Sequence, residues 1–153
     1  KTAMLFEAAT EVGAILANAP KEQQAALRDY GRHLGIAFQL IDDVMDYLSS
    51  AEEMGKNVGD DLAEGKPTLP LIQAMKVVTE EERQLIRQTI RKGGLEDLEP
   101  ILAIVKSSGA IEYTQESALK QADLAIAALS TLPDSSFKET LTLLAHMAVH
   151  RNT

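Results

Sequence analysis

Cysteine is absent from the 153 residues, and so is tryptophan. Without thiols the chain can form neither disulfides nor thiolate metal sites, which fits a cytoplasmic protein. Only three Phe and three Tyr are present, so the core is expected to be aliphatic, built of Leu, Ile, Val, Ala and Met. No apolar run approaches the roughly 20 residues needed to span a bilayer, and no signal peptide is visible, so no transmembrane segment is expected. Positive charge is short as well: 15 Lys and Arg stand against 23 Asp and Glu, a formal net charge of −8. Nucleic acid is excluded as a partner, because binding it needs a basic face to displace counterions. The net charge gives little support for an anionic membrane surface either. An acidic chain that binds an anionic substrate needs divalent cations or local lysines to do so.

What is present describes a helical protein. The length suits one domain with a sizeable core, and 45% hydrophobic with 25% charged residues is an ordinary globular balance. Abundant Leu, Ala, Glu, Gln and Lys favour helices over sheets. Met4, Leu5, Ala8, Val12, Ile15 and Leu16 recur at three- and four-residue spacing, which predicts a helix over 2–17 with one buried stripe. Pro20 opens a long helix to about Leu48, amphipathic at first and apolar almost all round from Leu34 to Met45, hence central and enclosed. Gly31 and Gly35 within it predict the close approach of another helix. A glycine-punctuated loop runs from Ser49 to Lys66. Shorter helices are expected over 68–78, over 80–92 behind a Thr79–Glu82 capping box, and over 95–107. A long helix over 110–130, whose stripe of Leu119, Ala122, Ile126 and Leu129 is read as core or a dimer face, precedes the last one. That final helix is predicted to start near Ser136, with Glu139 completing a second capping box, and to end near His150. No segment alternates with period two. The expected fold class is all-α, a helical bundle.

One stretch needs explaining. Phe38-Gln39-Leu40-Ile41-Asp42-Asp43-Val44-Met45-Asp46 sets three acids inside an apolar run, and the loop after it closes at Gly65-Lys66-Pro67. On a helix Asp42 and Asp46 share a face, Asp43 lies about 100° round, and Gln39 extends the face by one turn. Carboxylates clustered on a buried helix repel and are costly to desolvate unless a cation compensates them. Oxygen ligands without nearby His or Cys select a hard ion: Mg²⁺, Mn²⁺ or Ca²⁺. Mg²⁺ takes one or two carboxylates and completes its shell with water and phosphate, and Lys56 and Lys66 can add point charges to the same phosphate. The plainer reading is a solvated acidic face with a surface loop beside it, and the apolar flanks argue against it.

That stretch, followed by Gly55-Lys56-Asn57-Val58-Gly59-Asp60-Asp61-Leu62-Ala63-Glu64-Gly65-Lys66-Pro67-Thr68, resembles the second aspartate-rich region of the trans-isoprenyl diphosphate synthases, in particular their long-chain bacterial members. Leu132-Pro133-Asp134 and Leu144-Ala145-His146 extend the similarity along essentially the whole chain. The resemblance implies the C-terminal part of the isoprenoid synthase fold and a homodimer. It implies that Asp42, Asp43 and Asp46 hold Mg²⁺ on an allylic diphosphate, with Asp42 the principal ligand, and that Lys56 and Lys66 bind the same diphosphate. Lys1 and Thr2 are similar to the family's Lys-Thr pair, the lysine on the diphosphate and the threonine near the carbocation, with Gln39 facing the same cavity. The implied reaction joins isopentenyl diphosphate head-to-tail to the allylic partner through an ionised intermediate, and its product is lipophilic.

Other patterns carry less. Gly65-Lys66 lacks the spacing and the Ser/Thr of a P-loop. A calcium loop from Asp42 fails at Val44 and Tyr47. His146 and His150 share a face on the last helix but lack a third ligand, and His33 is read as structural. A helical scaffold that partners an active synthase is the competing class of function, and a terpene cyclase is a weaker third because the lysine loop does not suit it. The chain opens without methionine inside an amphipathic pattern, so it reads as a piece of a longer one, and the family's first Asp-Asp-x-x-Asp motif is not in it. The isolated 153-residue chain is therefore expected to show no condensation in a radiolabelled isopentenyl diphosphate assay, and appreciable turnover would refute that expectation.

Overall fold

A computed structural model describes residues 1–48, 59–94 and 96–151, so Lys56 lies outside the described residues. Among these the structure is all-α: α1 (Thr2–Leu16), α2 (Lys21–Leu48), α3 (Asp60–Ala63), α4 (Leu69–Val77), α5 (Glu80–Lys92), α6 (Leu98–Ser107), α7 (Ala110–Ala128), a 3₁₀ turn (Leu129–Thr131) and α8 (Ser136–Val149). None of these helices is long and apolar enough to cross a membrane. The chain divides into two compact units, with boundaries inside α2 after Ile41 and inside α7 after Gln115.

The first unit holds α1, most of α2, most of α7 and α8. Its core gathers Tyr30, Leu34, Ala125, Leu129, Ala145 and Ala148, with Phe6, Leu27 and Leu141 against them. Tyr30 is fully buried; its hydroxyl donates to the Leu141 carbonyl at 2.8 Å, and burial pushes its pKa up to about 12. The sequence places the buried stripe of α1 on the wrong side. Met4, Leu5, Val12, Ile15 and Leu16 are exposed, while Ala3, Phe6 and Thr10 meet α2 at Gly31 and Gly35. The glycines decide this. A Cβ built on Gly31 would lie 2.5 Å from the Phe6 carbonyl oxygen, and one on Gly35 2.6 Å from the Ala3 Cα. Thr10 seals the contact by donating from Oγ1 to the Leu27 carbonyl at 2.6 Å.

The second unit runs from Asp42 to Gln115. Its core is Val44, Tyr47, Leu62, Leu71, Ala74, Ile86, Ile101, Leu102, Ile104, Val105, Ala110 and Ile111. The prediction of a purely aliphatic core is thus corrected in both units, since Tyr30 and Tyr47 are fully buried at their centres. The Thr79–Glu82 capping box forms as expected. Two starts shift. Gly93 and Gly94 turn the chain through positive φ and α6 begins at Leu98, not Leu95, behind Asp97, whose carboxylate accepts from Thr89 Oγ1 at 3.3 Å. In the first unit α8 is capped by Ser135, whose hydroxyl accepts from the Lys138 N–H, so the expected Glu139 box is replaced by a cap one residue earlier. Likewise Leu119 is 41% exposed; the buried stripe of α7 is Ala118, Ala122, Ala125 and the following Leu129.

Gly31→Ala must push α1 off α2, an overpacking that costs about 1–3 kcal/mol. Urea denaturation monitored by circular dichroism should show the midpoint fall accordingly, and an unchanged midpoint would contradict the close-contact account.

Candidate functional site

The second half of the acidic stretch is built around Asp46. Its carboxylate accepts the Asp60 N–H on Oδ1 and the Asp61 N–H on Oδ2, each at 3.2 Å. Its own carbonyl accepts the Gly59 N–H at 3.1 Å. Those amides open α3 and have no partner inside that helix, so Asp46 caps α3 from another element. The next residue fixes the far end of the same segment. Tyr47 is fully buried, and its hydroxyl shares a 3.0 Å hydrogen bond with Thr68 Oγ1 at the start of α4; burial drives its pKa strongly upward. Gly65 sits between with φ of +68°, and a Cβ there would lie 2.5 Å from the Ile90 carbonyl oxygen, so only glycine fits.

Asp46 pays electrostatically for this position. Burial raises its pKa, and the negative charge of Asp61 adds to the rise, against the lowering effect of the two amide bonds. Asp43 is buried and Asp42 half-buried on the same turn of α2. Among the described residues no group of three His, Cys, Asp or Glu side chains forms a metal cage. The donor set of this turn is nonetheless carboxylate oxygen alone, which suits Mg²⁺, an ion content with one or two protein carboxylates and the rest water and phosphate. Both Asp46 oxygens also accept the amides that open α3.

Lys66 is exposed and pairs with Glu64 at 2.7 Å and Asp61 at 2.9 Å. The bond to Glu64, then that to Asp61, raises its pKa. It is an exposed positive charge, paired with two carboxylates, at the end of the clasped segment.

In the first unit, Thr2 Oγ1 donates to Gln39 Oε1 at 2.8 Å, which brings two of the expected site residues together. Lys1, just before α1, is exposed. His33 Nδ1 lies 2.7 Å from Gln121 Oε1, a structural bond as expected. His146 and His150 are exposed on α8 and its end, beside Met147 and Arg151. Sequence reasoning missed the backbone amides of Asp60 and Asp61 and the Tyr47–Thr68 bond. Nothing in the residue pattern signalled either of them.

A sequence model of the family described as polyprenyl synthetase matches residues 1–106. The chain is 53% identical to octaprenyl diphosphate synthase of Escherichia coli over 99% of its own length and 47% of that protein's. It is 49% identical to an all-trans-nonaprenyl-diphosphate synthase of Rhodobacter capsulatus, over 99% of the chain and 46% of the relative. The chain therefore spans about half the length of the curated relatives it matches. Among solved structures, a polyprenyl synthase from Caulobacter crescentus, complexed with calcium and isoprenyl diphosphate, superposes with a TM-score of 0.91 at 42% identity, covering 100% of this chain and 47% of that one. The all-α fold is that of these polyprenyl synthase structures.

Replacing Asp46 with Ala strips the partners from two amides. Hydrogen exchange at Asp60 and Asp61 should accelerate by about tenfold or more, in line with the ~1.5–3 kcal/mol of a charge-assisted bond, while Ile86 and Ile101 stay protected. Unchanged exchange at Asp60 and Asp61 would remove Asp46 from its capping role.

Proposed function

We propose that this chain, which belongs to the polyprenyl synthetase family, supplies the diphosphate-ionising part of a prenyltransferase. The whole protein condenses isopentenyl diphosphate with an allylic diphosphate, as a homodimer, and makes a long-chain all-trans polyprenyl diphosphate for a quinone side chain. The identity to an octaprenyl synthase supports octaprenyl as the product. The observation that carries the reading is the acidic turn of α2 followed by a clasped segment ending in Lys66.

Asp42 and Asp43 hold Mg²⁺, whose chemistry when bound is to neutralise the charge gathering on the departing diphosphate. Asp46 adds negative charge to the same turn while its oxygens hold the segment after it in place. Lys66 trades Glu64 and Asp61 for phosphate oxygens, and the resemblance to the family assigns Lys56 and Lys1 to the same diphosphate. The allylic C–O bond breaks, and the isopentenyl double bond attacks the resulting cation to form the new C–C bond. A proton is then lost from the adjacent carbon. Thr2 and Gln39 present oxygen atoms that stabilise the cation and position the group that takes the proton. The stabilisation is concentrated at the leaving group, where charge develops most.

A non-catalytic helical subunit is the competing reading. A scaffold need not keep a costly acidic cluster, and the retained Asp42, Asp43, Asp46, Lys56 and Lys66 favour the enzyme. In the full protein, Asp42→Ala should lower turnover by orders of magnitude and abolish the rise in melting temperature on adding Mg²⁺ with inorganic diphosphate. Lys66→Ala should raise the KM for the allylic substrate about tenfold, the scale of one charge-assisted contact. A normal rate and an undiminished thermal shift in Asp42→Ala would refute the metal role and leave the scaffold reading.

A further inference from the structure

The second unit carries a groove that the proposed chemistry does not use. Lys76 from α4 and Arg83, Arg87 and Arg91 from α5 stand around an aliphatic floor of Met75 and Ile90, enclosing about 600 Å³. The three arginines recur every four residues and so share one face of α5. Arg83 is committed to structure. Its Nε donates to the Met75 carbonyl at 2.7 Å and its guanidinium to the Val78 carbonyl at 3.2 Å, closing the end of α4. The acids nearest it are committed too: Glu80 pairs with Arg83, and Glu82 completes the Thr79 capping box. Lys76, Arg87 and Arg91, by contrast, are exposed and make no ion pair with any described residue. In a chain of net charge −8, three unpaired cations in one groove are a local reversal of sign.

The lining decides what such a groove can recognise. Its lining is cationic and aliphatic alone, with no acid, amide, hydroxyl or aromatic ring. It offers negative charge a counterpart and alkyl chains a surface, with Ile72 at 38% exposure on its edge. We propose that this groove docks the protein on an anionic phospholipid surface. Lys76, Arg87 and Arg91 take the phosphate head groups, and Ile72 enters at the boundary with the acyl chains. The chain as a whole carries net negative charge, so attachment depends on this local reversal of sign. It is strongest at low salt, since the attraction decays within a Debye length.

The test is co-sedimentation of the purified protein with vesicles of equal parts phosphatidylcholine and phosphatidylglycerol, against vesicles of phosphatidylcholine alone. Binding is expected on the mixed vesicles only, and should fall as salt is raised. Arg87→Gln and Arg91→Gln should each weaken partition roughly fivefold, Ile72→Ser should weaken it further, and Lys120→Gln, outside the groove, should leave it unchanged. Circular dichroism of each variant confirms that the fold is retained. Equal binding to both vesicle types, equal loss in Lys120→Gln, or full binding by the double arginine variant would each overturn the proposal. So would displacement of the vesicles by an equal charge concentration of polyglutamate, which would point to an acidic protein partner instead.

Discussion

Three hydrogen bonds to Asp46 hold the arrangement at the end of α2. Two amides at the start of α3 need acceptors, and a carboxylate supplies both at once, while the main chain of the same residue takes the Gly59 amide. A side chain without an acceptor would leave both α3 amides without this partner, and only the main-chain bond to Gly59 would remain. The cost is a carboxylate partly removed from water and set near the charge of Asp61, which shows as a raised pKa. Tyr47 then holds Thr68 from within the core. Consecutive residues of one helix thus hold both ends of the described segment that carries Lys66. A charge placed in advance costs less to recruit than one that must be ordered on binding.

Close contact between helices plays the matching part in the first unit. Gly31 and Gly35 open a notch in α2, and α1 settles in it through Ala3, Phe6 and Thr10. That contact sets the rotation of α1, and so places Thr2 within 2.8 Å of Gln39. The larger aliphatic residues of α1 are turned outward as a consequence.

Much of this was legible in the sequence because it rests on periodicity and composition. The all-α class, the long α2 and the Thr79 capping box follow from spacing that only a helix satisfies. The acids of α2 were conspicuous because charge inside an apolar run is costly wherever the chain folds. The buried face of α1 was not legible, since the glycines that select it lie on another helix and outweigh hydrophobicity at Met4 and Leu5. Asp46's partners were not legible because every non-proline residue offers an N–H, so nothing in a side-chain pattern marks Asp60 and Asp61 as donors. The two buried tyrosines escaped a composition argument for a related reason. Six aromatic residues are few for 153, but two suffice to occupy the centres of two small cores.

The central proposal concerns one turn of α2: Asp42 is the principal ligand of a divalent cation on a diphosphate, while Asp46 keeps its hold on the segment after it. The direct measurement is anomalous diffraction from crystals of the full protein grown with Mn²⁺ and an unreactive allylic diphosphate analogue. The account predicts a manganese peak within about 2.5 Å of an Asp42 oxygen, as inner-sphere coordination requires, with Asp46 still bound to the Asp60 and Asp61 amides. A peak ligated by Asp46 with those amides released, or no peak at Asp42, would contradict it.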